Sequence, residues 1–454
     1  MPGLIQYKFT LLLVAILLAA GSTALAQEPL LVPPGVEVLT LDKAIDLALV
    51  NNRSAKNARL ETEKNDDRTA AARTRMLPGF QLNAGVAKPL STFDTTFEKG
   101  VFGTAPLEDT VITSSTHPTA AIVGQLVQPL SQLHRIKLQI KQQEAATEIS
   151  RAQLSATEQA LANEIKRAYY AILQSQGAAQ AAETNIKLYH ELDRLTGEYV
   201  VQQVALKTDL MDVQTRLAKA EYELMTIDNQ LASQKEQLNH LLGRDVRTEF
   251  AVSSGEETVL AVMRETDLIA ARERALANRP EIREAKLRID QAKLDKRIKK
   301  SEFIPDVSLT VNYATTFSYS NFVPRSLSGV GVQVDWEVFD WGRKKHEVAD
   351  KDKSITQASN SLLDTESQVL MEVNSRFRAM QESRQMLTVA KLAQTQARAN
   401  VQLVTYKYRL DAVLLKDVLQ AQTVLANSDY DYQKALLAFW TAKADFEKAI
   451  GEDK

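Results

Sequence analysis

The feature that most constrains this chain is a hydrophobic period of 3.5 residues, held over many turns and written twice. Leu206, Leu210, Val213, Leu217, Ala220, Leu224, Ile227, Leu231, Leu238 and Leu241 follow a four-three spacing, with Gln234 in the one polar place. Adding 208 to each number gives Leu414, Val418, Ala421, Leu425, Ser428, Tyr432, Ala435, Phe439, Ala442, Phe446 and Ala449, in the same register. Such a period keeps one seam facing a partner only if helices supercoil, so it predicts coiled-coil packing. A similar stripe lies upstream, through Leu138, Ala145, Ile149, Ala152, Leu161, Ile165, Ala168 and Ile172, then Leu188, Leu192, Leu195 and Tyr199. Between Ser131 and Gln202 there is no Pro, and Gly177 and Gly197 are the candidate breaks. A helix of ~70 residues is ~105 Å long. A rod of that length has to line up with other rods.

The duplication extends beyond the heptads. Ala48-Leu49-Val50-Asn51 recurs as Ala275-Leu276-Ala277-Asn278, 227 residues later. Further on the offset becomes 208, so the first copy holds a loop 19 residues longer, between Val86 and about Ile122. The expected division is a leader at 1–26, a first repeat at 27–245, a linker at 246–266 and a second repeat at 267–454. Each repeat reads helix, strand, loop, strand, very long helix, turn, helix. The opening helices are expected from Leu41 to Arg75 and from Asp267 to Lys300. Strands alternate through Phe80, Leu82, Ala84 and Val86, through Val307, Leu309, Val311 and Tyr313, and through Val330, Val332, Val334, Trp336 and Val338. Period-two alternation means two faces in different environments. Pro78 and Pro305 stand where helix must give way to strand.

Met1 to Ala26 carries one basic residue, Lys8, then an apolar run and Ala24-Leu25-Ala26, the pattern of a cleaved export signal. Mean hydropathy of −0.23 excludes a bundle of several apolar membrane helices, but not a barrel whose strands are a small share of the chain. The absence of Cys excludes disulfides, zinc-thiolate sites, thiol nucleophiles and a lipoprotein anchor. A net charge of −2 argues against nucleic acid as a partner. His117, His134, His190, His240 and His346 are scattered, with no metal-ligand spacing. No catalytic constellation appears, so neither an enzyme nor a cofactor is expected.

Four strands cannot close a barrel, since the smallest single-chain barrels need about eight. Three chains pooling strands would supply twelve, and closed symmetry makes such a trimer natural. At this point the sequence resembles the outer-membrane efflux proteins of the TolC type. The resemblance rests on the duplicated layout, the Ala-Leu-x-Asn near the start of each copy, the Pro before each first strand and Phe339-Asp340-Trp341-Gly342-Arg343. It rests also on the tip segments Thr208–Gln214 and Lys416–Gln422. It implies a mainly α fold with a small β part. Long coiled-coil helices would form a periplasmic α-barrel, and four strands per chain would join a trimeric twelve-stranded outer-membrane β-barrel. It implies passive export in a tripartite efflux or type I secretion system of a Gram-negative cell. The partners would be outer-membrane lipid, a periplasmic adaptor (membrane fusion) protein and an inner-membrane transporter of RND, ABC or MFS type.

The resemblance also assigns residues. Asp209, Asp212, Tyr408, Asp417 and Gln420 fall at the periplasmic entrance, where threefold symmetry would turn acids into charged rings. The same acids read simply as first-turn acids at a helix N-terminus, and Tyr408 as coiled-coil packing. The adaptor-facing tips are Gln203, Val204, Ala205 and Leu206, and Asp411, Ala412, Val413 and Leu414. The family usually has Gly where Gln203 and Asp411 stand, and the first copy has Ser131-Gln132-Leu133-His134 in place of Phe-Asp-x-Gly. Trp336, Phe339 and Trp341, with Phe303, Tyr313, Phe317, Tyr319 and Phe322 nearby, suggest an interfacial aromatic girdle. Lys296, Arg297, Lys299 and Lys300 read as snorkelling cations at the membrane edge or as a solvated helix face. The competing reading is an exported periplasmic or surface coiled-coil scaffold without a pore, which leaves the alternating strands unexplained.

Overall fold

The computed structural model describes residues 37–88, 90–92, 94–113, 116–203, 206–253, 267–317, 325–409 and 412–452. The expected leader at 1–26, residues 254–266 of the expected linker, Tyr319 and Phe322 lie outside them. After a short strand β1 (Glu37–Leu39), the first repeat runs α1 (Leu41–Asn51), α2 (Arg53–Thr74), β2 (Gly79–Ala87), β3 (Asp94–Phe97), β4 (Thr110–Thr113), β5 (Thr119–Pro129), α3 (Leu133–Val201) and α4 (Lys207–Leu241). A strand β6 (Phe250–Val252) precedes the second repeat, which is α5 (Leu268–Asn278), α6 (Pro280–Ser301), β7 (Asp306–Phe317), β8 (Ser326–Asp335), α7 (Arg343–Arg409) and α8 (Leu415–Ala449).

The long rods are as the heptads predict. α3 has 69 residues and α7 has 67. α3 runs through Gly177 and Gly197, so neither breaks it. Each long helix doubles back against the shorter one that follows it, α3 on α4 and α7 on α8. The seam residues Val213, Ala220, Val418, Ala421 and Ala435 are buried.

Each expected opening helix is two helices, not one. In the first repeat the break is Asn52, whose Oδ1 accepts from the N–H groups of Ser54 (2.8 Å) and Ala55 (3.3 Å) and so caps α2. Its Nδ2 donates to the Leu241 carbonyl at 2.8 Å, satisfying an end of α4. In the second repeat the break is Arg279, followed by Pro280 in the first turn of α6. Proline there supplies its preset φ and loses no helical hydrogen bond. Arg279 is buried, and its guanidinium reaches Glu372 at 2.8 Å and the Lys448 carbonyl at 3.1 Å. A positive-φ glycine closes each final helix on the break: Gly243 (φ +70°) against Asn51, and Gly451 (φ +73°) against Asn278 and Arg279. This packing gives the repeated Ala-Leu-x-Asn its structural meaning.

The expected linker contains the strand β6. β6 pairs in parallel with β1, Val38 opposite Ala251. The pair packs into a core with Ile45, Ile165, Ile172, Leu238 and Leu242. Tyr169, 3% exposed, lies beneath it, its hydroxyl 2.7 Å from the Ser253 carbonyl and 3.1 Å from that of Leu39. Burial pushes that phenol up to about 12. A second core gathers Ala271, Ala275, Ile282, Val369, Val373 and Phe446. Between the repeats, buried Asp445 on α8 accepts from Asn163 (3.0 Å) and Arg167 (2.9 Å) on α3 and from Arg376 (3.1 Å) on α7.

Candidate functional site

β2, β5, β7 and β8 form one antiparallel sheet in that order, so β5 against β7 joins the two repeats. Residues directly opposite one another share a face. Phe80 lies opposite Leu126, Leu126 opposite Val311 and Val311 opposite Val330. The neighbouring row is Gln81, Gln125, Asn312 and Gly329. Following the register assigns Leu82, Val86, Ile122, Leu309, Tyr313, Val332 and Val334 to the first face, and Asn83, Ser308, Thr310 and Gln333 to the second. The first face is mainly apolar along the middle of all four strands, with Gln128, Thr315, Ser326 and Ser328 toward its ends; the second mixes amides, hydroxyls and small residues with Val123, Val127 and Leu327. Both outer strands, β2 and β8, are exposed along their whole length in the single chain. Phe80 is 68% exposed and Val330 is 74% exposed. The long loop of the first repeat, expected without secondary structure, carries the hairpin β3–β4.

The joints between sheet and rods differ in the two repeats. In the first, the Ser131 hydroxyl donates to the Pro305 carbonyl and accepts from the Val307 N–H, each at 2.7 Å. The missing Phe-Asp-x-Gly is replaced there by a stitch to the other repeat. In the second, the Asp340 carboxylate accepts from the N–H groups of Gly342 (3.0 Å) and Lys344 (2.9 Å), capping α7. These backbone bonds, that of Lys344 first, hold the Asp340 carboxyl below the usual carboxylate range. Trp341 takes a left-handed φ of +55° and meets Phe339 edge-on, centroids 4.7 Å apart. Trp336, Phe339 and Trp341 are 57%, 69% and 88% exposed, so the chain's own core holds none of them.

The expected strand through Val338 stops at Asp335, because capping of α7 begins at Asp340 and 336–340 must turn the chain. In the basic run, Lys296 pairs with Asp352 at 2.5 Å, and Lys299 with Glu302 (2.9 Å) and Glu347 (3.0 Å). These two lysines therefore tie α6 and its end to α7; Arg297 and Lys300 are exposed.

At the far end of the rods, the two turns repeat one capping geometry. The Leu206 N–H donates to the Asp209 carboxylate at 3.2 Å, and the Leu414 N–H to the Asp417 carboxylate at 3.1 Å. In return the Asp209 and Asp417 N–H groups donate to the carbonyls of Leu206 and Leu414, each at 3.0 Å. Both acids remain exposed. Gln203 adopts the left-handed conformation itself, at φ 59°, doing without the glycine usual there. Asp212 is exposed and pairs with Arg216 at 3.0 Å, whereas Gln420, its counterpart, is a neutral exposed side chain. Ala412 and Leu414 are exposed and Val413 half-buried. Val204, Ala205 and Asp411 lie outside the described residues, as does the side chain of Tyr408, whose backbone is in α7.

The family model for outer membrane efflux proteins matches residues 44–244 and 271–452, nearly the whole of both repeats. The chain belongs to the outer membrane efflux protein family. It is an export channel of the Gram-negative outer membrane, with its helical part in the periplasm, in a family of transport conduits rather than enzymes. Its sheet and rods match solved channel structures at low identity. The CusC structure aligns at TM-score 0.74 and 16% identity, covering 91% of this chain and 92% of that one. The CmeC outer membrane channel of Campylobacter jejuni aligns at 0.72 and 15%, covering 90% and 85%. The open-state MtrE outer membrane channel of Neisseria gonorrhoeae aligns at 0.71 and 16%, covering 90% and 88%. No curated protein matches this efflux protein by sequence.

Two features of this outer membrane efflux protein escape a strand-by-strand reading. One is the amide row, which exists only once the register of three strands is known. The other is the charge economy of the sheet: its four strands carry only Asp306 and Asp335 as charged residues, both at the helical end. No helix among the described residues is long and apolar enough to cross a membrane. Nor does any group of three or more acidic or His side chains there suit a metal ion.

Proposed function

We propose that three copies close head to tail, β8 of each pairing with β2 of the next, into a twelve-stranded barrel continued by a cylinder of rods. The observation that carries this is the exposed four-stranded sheet, mainly apolar on one face and uncharged and more polar on the other, with two unpaired edges. Such a sheet buries its apolar face only in lipid and loses its edges only by closure. Passive export of solutes delivered by an inner-membrane transporter follows, with a periplasmic adaptor at the tips formed by 203–206 and 411–414. Asp209, Asp212, Tyr408, Asp417 and Gln420 then border the entrance. In this reading each capping acid has two jobs, holding its turn and presenting negative charge to the bore.

The test is assembly together with conductance. Detergent-extracted protein is expected to run as a trimer by light scattering and to open aqueous channels in planar bilayers. A water-soluble monomer without conductance overturns the reading in favour of a scaffold.

A further inference from the structure

A second function is written on the polar face of the sheet, and it rests on the trimeric channel reading. Gln81, Gln125 and Asn312 stand side by side in one hydrogen-bonding row, with Gly329 completing it on β8. The flanking rows are more mixed: Asn83 stands with Val123, Ala314 and Leu327, and Thr310 with Gly79, Val127 and Gly331, so the amides concentrate in the one row; the next row toward the helices adds Ser308 and Gln333. No residue of this face is charged until Asp306 and Asp335 at the helical end. There Arg135 sits 2.7 Å from Asp306 and offsets its charge. The opposite face is mainly apolar, with Gln128, Thr315, Ser326 and Ser328 toward its two ends, so closure turns the amides inward to water.

An amide offers a donor and an acceptor and no net charge. A wall of amides therefore solvates either sign of ion and favours neither, unlike a ring of carboxylates or guanidinium groups. Barrel strands tilt, so each chain's row runs obliquely around the bore instead of forming a flat ring. Oblique rows spread the contacts along the path of a moving solute. The acids at the entrance turns lie at the other end of the rods, so charge discrimination and membrane passage are separated along the axis. The geometry points to Gln81, Gln125 and Asn312 as a charge-neutral hydrogen-bonding belt that lines the membrane bore and passes solutes of either sign, giving their amide, hydroxyl and carboxylate groups weak partners.

The chain has no Cys, so single cysteines report cleanly. Gln81→Cys, Gln125→Cys and Asn312→Cys channels are compared with Leu82→Cys, Val311→Cys and Val332→Cys channels in planar bilayers. The reagent is a positively charged, membrane-impermeant methanethiosulfonate. The first set is expected to lose conductance and shift its reversal potential toward anion preference, and the second set to stay unchanged. Gln125→Glu is expected to shift the reversal potential the opposite way, toward cations. Conducting channels that respond equally in both sets, or only in the second, or whose selectivity does not move in Gln125→Glu, overturn the belt and leave the channel standing. Absence of any conductance from the parent trimer overturns the channel reading and the belt with it.

Discussion

Asp306 and Asp335 face each other directly across β7 and β8, like charges opposed in the register. Such an arrangement costs roughly 0.2–1 kcal/mol on its own. Two neighbours offset it: Arg135 reaches Asp306 at 2.7 Å, and Gln333 donates to Asp335 at 3.0 Å. Arg135→Met is expected to lower thermal stability in detergent. Asp335→Asn added to it is expected to restore most of the loss. Melting curves of the two variants decide it; a second substitution that restores nothing rules out the repulsion.

The glycines closing the two repeats are unequal. A Cβ at Gly243 would stand 2.4 Å from the Asn51 carbonyl oxygen, but at Gly451 the nearest atom is at 3.1 Å. Left-handed backbone alone costs a non-glycine residue roughly 1–2 kcal/mol. Gly243→Ala is therefore expected to cost clearly more than Gly451→Ala, because backbone has to move as well. Denaturant unfolding of the two variants ranks them, and equal losses contradict the packing described.

Asp417 braces the first turn of α8 by accepting from the Leu414 N–H and, in the proposed channel, presents a charge at the entrance. Asp417→Ala is expected to fray the first turn by removing the acceptor of the Leu414 N–H, and to raise leak conductance. Asp417→Asn keeps an acceptor for the Leu414 N–H and isolates the effect of charge. Single-channel recordings of both variants separate the two jobs, and unchanged conductance in Asp417→Ala removes the gate.

Trp341 is held in a strained backbone conformation and is almost wholly exposed, so the folded chain alone gains little from it. Trp341→Gly is expected to leave the helix cap at Asp340 intact and thermal stability in detergent equal or higher. Its partition into lipid vesicles is expected to fall. Vesicle flotation measures this, and undiminished partition argues that the indole does not anchor the barrel edge.

The Tyr169 phenol is raised from 10 to about 12 by burial. The native state therefore keeps its proton where the unfolded chain has lost it. Stability from this group is complete below pH 10 and falls as pH rises from 10 through 12. Tyr169→Phe is expected to cost ~1 kcal/mol at neutral pH through the lost hydrogen bond, and to flatten the alkaline limb. Melting temperatures from pH 9 to 12 provide the check.

Much of this was legible in one dimension. The heptads, the duplication and the strand alternation are periodic signals, and periodic signals survive without knowledge of contacts. The acids of the two hairpin turns were legible as first-turn acids for the same local reason. The break at Asn52 was hidden, because a polar helix face runs on through it and the cap declares itself only when Asn52 meets Leu241. β1 and β6 were hidden because each is three residues long and its partner lies more than two hundred residues away. The amide belt needed the register of three strands, which no single strand carries.

The two hairpin turns have the same backbone capping but different flanks: Asp212 with Arg216 on α4, Gln420 with Val424 at the matching places on α8. In the proposed ring of three chains, six tips would alternate between two kinds. The mouth has threefold order wearing a sixfold outline. A partner that reads side chains finds three identical berths, and one that reads only backbone turns finds six. Stoichiometry at this end of the tube becomes a question of which of the two the partner reads.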